Sequence, residues 1–185
     1  MTPRLLVVSG LPAAGKTTLA TALAREFPWP LVSKDDYKTL LLDAFPDGDL
    51  PGRSRQAGLY SFRVMWQVAR VVLRAGQSVI LETHFDRVHA LPPILELART
   101  HQAQLSQVYC EAPLAELERR HAARVQAAQR PGIDLPGIHS LLPPTANWEP
   151  LDLGNVPLLR VDTTQPDAAG RAAAWVRTPG GKLTG

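Results

Sequence analysis

The chain has 185 residues, enough for one domain with a substantial core. Its composition is globular, with 45% hydrophobic and 20% charged residues and neither a long charge run nor a heptad pattern. A formal net charge of +3 is too mild for a protein whose main work is gripping a nucleic-acid backbone, and it suits a small anionic ligand.

Leu5-Leu-Val-Val8 is a continuous apolar run, predicting a strand buried on both faces of a parallel sheet. It is too short for a signal peptide or a membrane span. Residues 15–26 predict a helix. Leu31-Val32 is a short second strand, followed by Ser33-Lys-Asp-Asp36 and a helix over about 35–44. The Pro- and Gly-rich stretch from Phe45 reads as a turn, and residues 57–75 read as a long helix with Gly76 ending it. Ser78-Val-Ile-Leu81 is a third strand. A helix follows over about 88–102, with Pro92-Pro93 placed in its first turn.

Residues 105–110 predict a fourth strand and 113 to about 129 another helix. The Pro-rich residues 131–154 read as an irregular excursion, residues 156–161 as a fifth strand and 166–177 as a closing helix. Residues 178–185 read as a frayed tail. Strands alternating with helices predict a three-layer α/β/α sandwich with a five-stranded parallel sheet. One domain is expected over 1–177, with a lid segment at about 125–154. The only cysteine, Cys110, excludes an intramolecular disulfide and reads as a buried strand-end hydrophobe, so a reducing cytoplasm is the expected setting.

The sharpest motif is Gly10-Leu-Pro-Ala-Ala-Gly15-Lys16-Thr17, which has the G-x-x-x-x-G-K-[ST] spacing of a P-loop. Gly10 and Gly15 let the backbone curl tightly, so that the loop Leu11, Pro12, Ala13, Ala14 can wrap a phosphate. The helix that follows adds its positive dipole end. Lys16 is expected to reach the β- and γ-phosphates of ATP, Thr17 to hold Mg2+, and Thr18 to touch the α-phosphate. A strand before the motif and an amphipathic helix after it separate this match from a chance glycine turn.

The guanine signature N-K-x-D and the transporter signature L-S-G-G-Q are both absent, and the chain is short for a ring ATPase. A compact kinase remains, and it needs a carboxylate beside its acceptor hydroxyl. Asp35 and Asp36 follow the second strand. Ser33 with Asp36 resembles a capping box, which would make Asp36 structural and leave Asp35 to orient and deprotonate the acceptor.

Ser33-Lys-Asp-Asp-Tyr-Lys38 resembles the segment after the P-loop in bacteriophage-type polynucleotide 5′-kinases. Gly76-Gln-Ser-Val-Ile-Leu-Glu82-Thr-His-Phe85 is similar to a later strand of the same group. That group of small P-loop kinases includes chloramphenicol phosphotransferase and the zeta toxins, and the resemblance covers residues 4 to about 130. It implies that the first Asp of the pair, here Asp35, is the general base. Two positions depart from the pattern: Lys38 stands where polynucleotide kinases have an acceptor-binding Arg, and Glu82 where they have Asp. A lysine is a point charge without the bidentate fork of arginine. Both departures weaken a nucleic-acid acceptor.

Glu82 is expected to help hold Mg2+, to orient Lys38 or to contact the acceptor, against the alternative of a solvated strand-end acid. His84 is a possible acceptor contact, and Asp86 reads as a helix cap. Arg119, Arg120, Arg124 and Arg130 form an acid-free segment. Arg120 and Arg124 share a helix face. The resemblance implies a lid arginine here that neutralises transition-state charge, with Arg124 the nearest match, Arg120 the next, and Arg130 acting from the lid.

The expected activity is ATP- and Mg2+-dependent phosphoryl transfer to the hydroxyl of a small molecule such as an antibiotic, sugar or nucleoside. The alternatives are a polynucleotide 5′-hydroxyl kinase and an ATP-binding regulator or toxin-like protein with little turnover. A monomer or homodimer without a membrane partner is expected.

Overall fold

Consecutive apolar residues in a strand point to opposite faces, so both faces need cover. In the computed structural model, Leu5, Leu6, Val7 and Val8 have no exposed surface. The structure describes residues 2–46, 49–85, 87–127 and 149–178. In chain order the elements are β1 (Arg4–Gly10), α1 (Lys16–Glu26), β2 (Leu31–Ser33), α2 (Lys34–Ala44) and α3 (Leu50–Arg74). They continue with β3 (Val79–Glu82), α4 (Arg87–Thr100), β4 (Gln104–Glu111), α5 (Leu114–Gln126), β5 (Leu158–Asp162) and α6 (Ala168–Arg177).

The five strands form one sheet in the order β2-β3-β1-β4-β5, every pair parallel. Leu6 and Val8 pack with Leu19 and Leu23 of α1, Leu117 of α5 and Trp175 of α6. Leu5 and Val7 pack on the other face with Met65 and Leu73 of α3 and Ile94 and Leu97 of α4. The expected three-layer sandwich is therefore present, and Cys110 is buried within it. Burial pushes the Cys110 thiol up to about 12, so it stays protonated.

Two predicted details differ. The long helix starts at Leu50 rather than near residue 57, because Asp49 caps it by accepting from the Gly52 amide at 2.8 Å. Pro51 falls in the first turn, where a missing N–H is no loss. The buried side of α3 carries Ala57, Ser61, Met65, Ala69 and Leu73, whereas Leu59 is 60% exposed.

Pro92 and Pro93 lie inside α4 rather than in its first turn. An interior proline costs about 3 kcal/mol. Buried Ala90, Ile94 and Leu97 offset this, since a fully buried Ile or Leu side chain contributes about 1.5–3 kcal/mol. Among the described residues no helix is long and apolar enough to cross a membrane. Asp86, Arg130, Trp148, most of the expected lid and the tail beyond Thr178 lie outside the described residues.

Candidate active site

The phosphate loop leaves β1 at its carboxyl end and turns into α1. Gly10 has φ +147°, and a Cβ there would lie 2.4 Å from the carbonyl oxygen of Cys110 on β4. Gly15, with φ +77°, occupies the N-cap position of α1. Ala13 also takes a left-handed conformation, φ 65°. Successive turns of this kind point main-chain N–H groups into one concavity, a shape suited to phosphate. Lys16 folds back over the loop, its Nζ donating to the Leu11 carbonyl oxygen at 2.8 Å. Burial lowers its pKa, while Glu82 and then Asp35 oppose that shift as nearby negative charges.

Beside the loop is a cleft of about 530 Å3. Ala13, Gly15, Lys16, Thr17, Thr18, Asp35, Glu82, Arg120 and Arg124 all line it. Residues from four separate stretches of sequence thus meet at one carboxyl edge of the sheet, as expected for an open α/β sheet. Gly10, Leu11, Pro12 and Ala14 shape the loop without lining this cleft, and Lys38 and His84 are also outside its lining.

On the β3 side, Ser33 and Glu82 are register partners at the ends of β2 and β3. The Ser33 Oγ donates to Glu82 Oε2 at 2.8 Å. Ser33 is the N-cap residue of α2 yet makes no side-chain cap bond, so the expected capping use of its hydroxyl is not realised. Glu82 is 2% exposed, which removes the reading of a solvated strand-end acid. Asp35 lies in the first turn of α2, with Lys34 Nζ 3.8 Å from its carboxylate. The Lys38 pKa is lowered by burial first and by Lys34 next, with Asp35 opposing. His84 Nδ1 lies 3.2 Å from the Gly10 carbonyl oxygen. Phe62, Trp66 and Phe85 stack in a row, and Lys34 Nζ lies 5.4 Å from the Phe62 ring centre.

On the β4 side, α5 brings arginines to the cleft. Arg120 is held by the protein itself: Nε to Glu116 at 2.6 Å, Nη1 to Thr163 Oγ1 at 3.0 Å and to the Ala13 carbonyl oxygen at 3.5 Å. This fastens α5 to the phosphate loop and to the turn after β5. Arg119 pairs with Glu116 at 2.7 Å and its side chain is 69% exposed, in keeping with a solvated role. The two guanidiniums hold the Glu116 carboxyl down at about 2. Arg124 lines the cleft, and its charge acts on Lys16.

Three contributors were missed by sequence reasoning. Thr163, Gln165 and Pro166, in the turn between β5 and α6, line the cleft with Ala168 and Ala169. The available signal was the polar run Asp162-Thr-Thr-Gln after an apolar strand, which puts small polar groups at the ligand-binding edge.

A parallel sheet whose central strand runs through a glycine cradle and a buried lysine into a helix defines a P-loop nucleotide-binding protein. Residues 5–135 match the family model described as an AAA domain, and the chain belongs to that P-loop family. A candidate kinase from Chloroflexus aurantiacus J-10-fl is 33% identical, with a TM-score of 0.84 over 96% of this chain and 98% of that one. A Mycobacterium tuberculosis APS kinase in complex with AMPPNP and APS shares the fold at 16% identity, TM-score 0.62, over 96% and 99% of the two chains. An unliganded sugar kinase from Janibacter sp. HTCC2649 shares it at 18% identity, TM-score 0.59, over 94% of each. No curated protein matches. The fold is that of the small P-loop kinases.

Proposed function

We propose that this protein is an ATP- and Mg2+-dependent phosphotransferase acting on the hydroxyl of a small molecule. The observation that carries this reading is the meeting of Lys16, Asp35, Glu82 and Arg124 around one cleft at the mouth of the phosphate loop. The loop suits a triphosphate, since its turns at positive φ at Gly10, Ala13 and Gly15 curl the main chain ahead of the α1 N-terminus. Thr17, Asp35 and Glu82 are the hard oxygen donors that Mg2+ favours. Among the described residues no cluster of three or more His, Cys, Asp or Glu forms a metal centre by itself, so the cation is expected to arrive with the phosphates.

The loop amides and Lys16 would hold the donor phosphates, with Thr17 and Glu82 toward the cation. Bound Mg2+ supplies neutralisation of phosphate charge. Asp35 orients the acceptor hydroxyl and takes its proton. Arg124 offsets charge on the transferring group, while Arg120 braces the turn at Thr163.

One observation favours a polynucleotide acceptor instead. Helix α3 carries no acid and exposes Arg55, Arg63, Arg70 and Arg74. Incubation with γ-labelled ATP and a panel of sugars, nucleosides, antibiotic alcohols and 5′-hydroxyl DNA or RNA tests both readings. Label on a small alcohol supports the first and label on a nucleic-acid end the second. Nucleotide binding without transfer to any of them refutes phosphotransferase activity toward these classes.

A further inference from the structure

The strands β2 and β3 end side by side, and their last residues, Ser33 and Glu82, are 3% and 2% exposed. A serine at an N-cap ordinarily stabilises its helix by accepting from an amide of the first turn. Ser33 holds that position but gives its hydroxyl to Glu82 instead, at 2.8 Å. The carboxylate it grips lines the cleft, and so does Asp35, two residues further along the same chain segment. One hydrogen bond therefore connects the carboxylate beside Lys16 with the helix turn that presents Asp35.

We propose that Ser33 is a positioning residue, fixing the Glu82 carboxylate for the divalent cation that accompanies the nucleotide. The proposal rests on the reading of this cleft as the nucleotide site. The terminal torsion of a glutamate is broad and weakly restrained, so an unheld carboxylate samples many orientations. Glu82 is also the foremost negative charge acting on buried Lys16. Loss of the Ser33 bond removes one anchor of this carboxylate and lets it shift toward Lys16, away from the cation. Loss of a partner that orients a metal ligand lowers metal affinity by roughly 10–100-fold.

The test is calorimetric titration of AMPPNP into the full chain, once in EDTA and once in Mg2+. Wild type should bind more tightly with Mg2+. In Ser33→Ala the Mg2+-dependent gain should shrink by about 10-fold or more, while affinity in EDTA stays near wild type. Ser33→Cys, similar in size and a weaker donor, carries the same expectation should Ser33→Ala not fold. A purely structural serine would lower the melting temperature and leave the Mg2+ gain untouched; that result in either variant overturns the proposal. If wild type binds no AMPPNP in either buffer, the nucleotide-site reading falls and this inference with it; if it binds without a Mg2+ gain, this inference alone is overturned.

Discussion

Gly10 offers a quantitative check on the geometry of the phosphate loop. It pairs with Cys110 across β1 and β4, and a Cβ at its position would sit 2.4 Å from the Cys110 carbonyl oxygen. Two terms oppose Gly10→Ala. Holding a non-glycine residue at φ +147° costs on the order of 1–3 kcal/mol. Relieving the overlap requires backbone movement inside a buried ladder, about 1–3 kcal/mol more. The sum, about 2–6 kcal/mol, is a large part of the roughly 5–15 kcal/mol that holds a domain folded. For a chain of this size each kcal/mol lowers the melting temperature by about 2–4 °C, so a fall of about 4–24 °C is expected. Gly76→Ala is the control: its φ of +73° is also unfavourable, but nothing lies within 4 Å of the added carbon. That variant should lose only about 1–2 kcal/mol. Urea titration followed by circular dichroism compares the two directly. If Gly10→Ala were no less stable than Gly76→Ala, the tight approach of β1 to β4 would be refuted.

The remaining predictions concern the site. Asp35→Asn should lower kcat by about 10^2–10^4 while leaving ATP affinity near wild type by calorimetry; an unchanged kcat removes the base assignment. Arg124→Ala should reduce turnover by about 10^2–10^3 with little change in ATP affinity. Arg120→Ala should instead weaken ATP binding and lower the melting temperature, because it unfastens Thr163 from the phosphate loop. Identical kinetic profiles for the two variants would remove that division of labour.

Lys16 supplies a pH test. Burial lowers its pKa below 10.5, so the folded chain holds this proton less tightly than the unfolded chain. Stability therefore gains as pH rises from the lowered value toward 10.5. Phosphate favours the charged ammonium, so nucleotide binding in that window should take up a proton and weaken as pH increases. Calorimetry in two buffers of different ionisation enthalpy measures the uptake, and none in that window contradicts the placement of Lys16 against the phosphates.

The phosphate loop and its flanking elements were legible because their determinants are local: four apolar residues, two glycines, a lysine and a helix. The start of α3 was not. Asp49 and Pro51 are as good a turn signal as a helix start, and only a cap bond to Gly52 separates the two. Ser33 shows the same limit at the site. A capping box with Asp36 is a sound local reading, and what displaces it is a carboxylate 49 residues away, brought alongside by strand pairing. Arg120 and Arg124, one helical turn apart, both line the cleft from α5. Their different surroundings depend on Thr163, which the sheet supplies from the far end of the chain.

Sheet order also explains why donor chemistry is easier to read than acceptor chemistry. The strand leading into the loop, β1, has β3 and β2 on one side and β4 and β5 on the other. The first side delivers Glu82 and Asp35, and the second delivers Arg120, Arg124 and the turn at Thr163. Lys16 stands between a carboxylate flank and a guanidinium flank. An anionic donor is attracted to the arginine flank, whereas a cation and a hydroxyl need the acidic one. The donor half is built around a motif whose spacing is dictated by phosphate geometry, so a short pattern identifies it. In the proposed reading the acceptor half has no such constraint and needs Asp35 at one point. Substitutions at Lys16 or Thr17 should therefore abolish transfer to every acceptor alike.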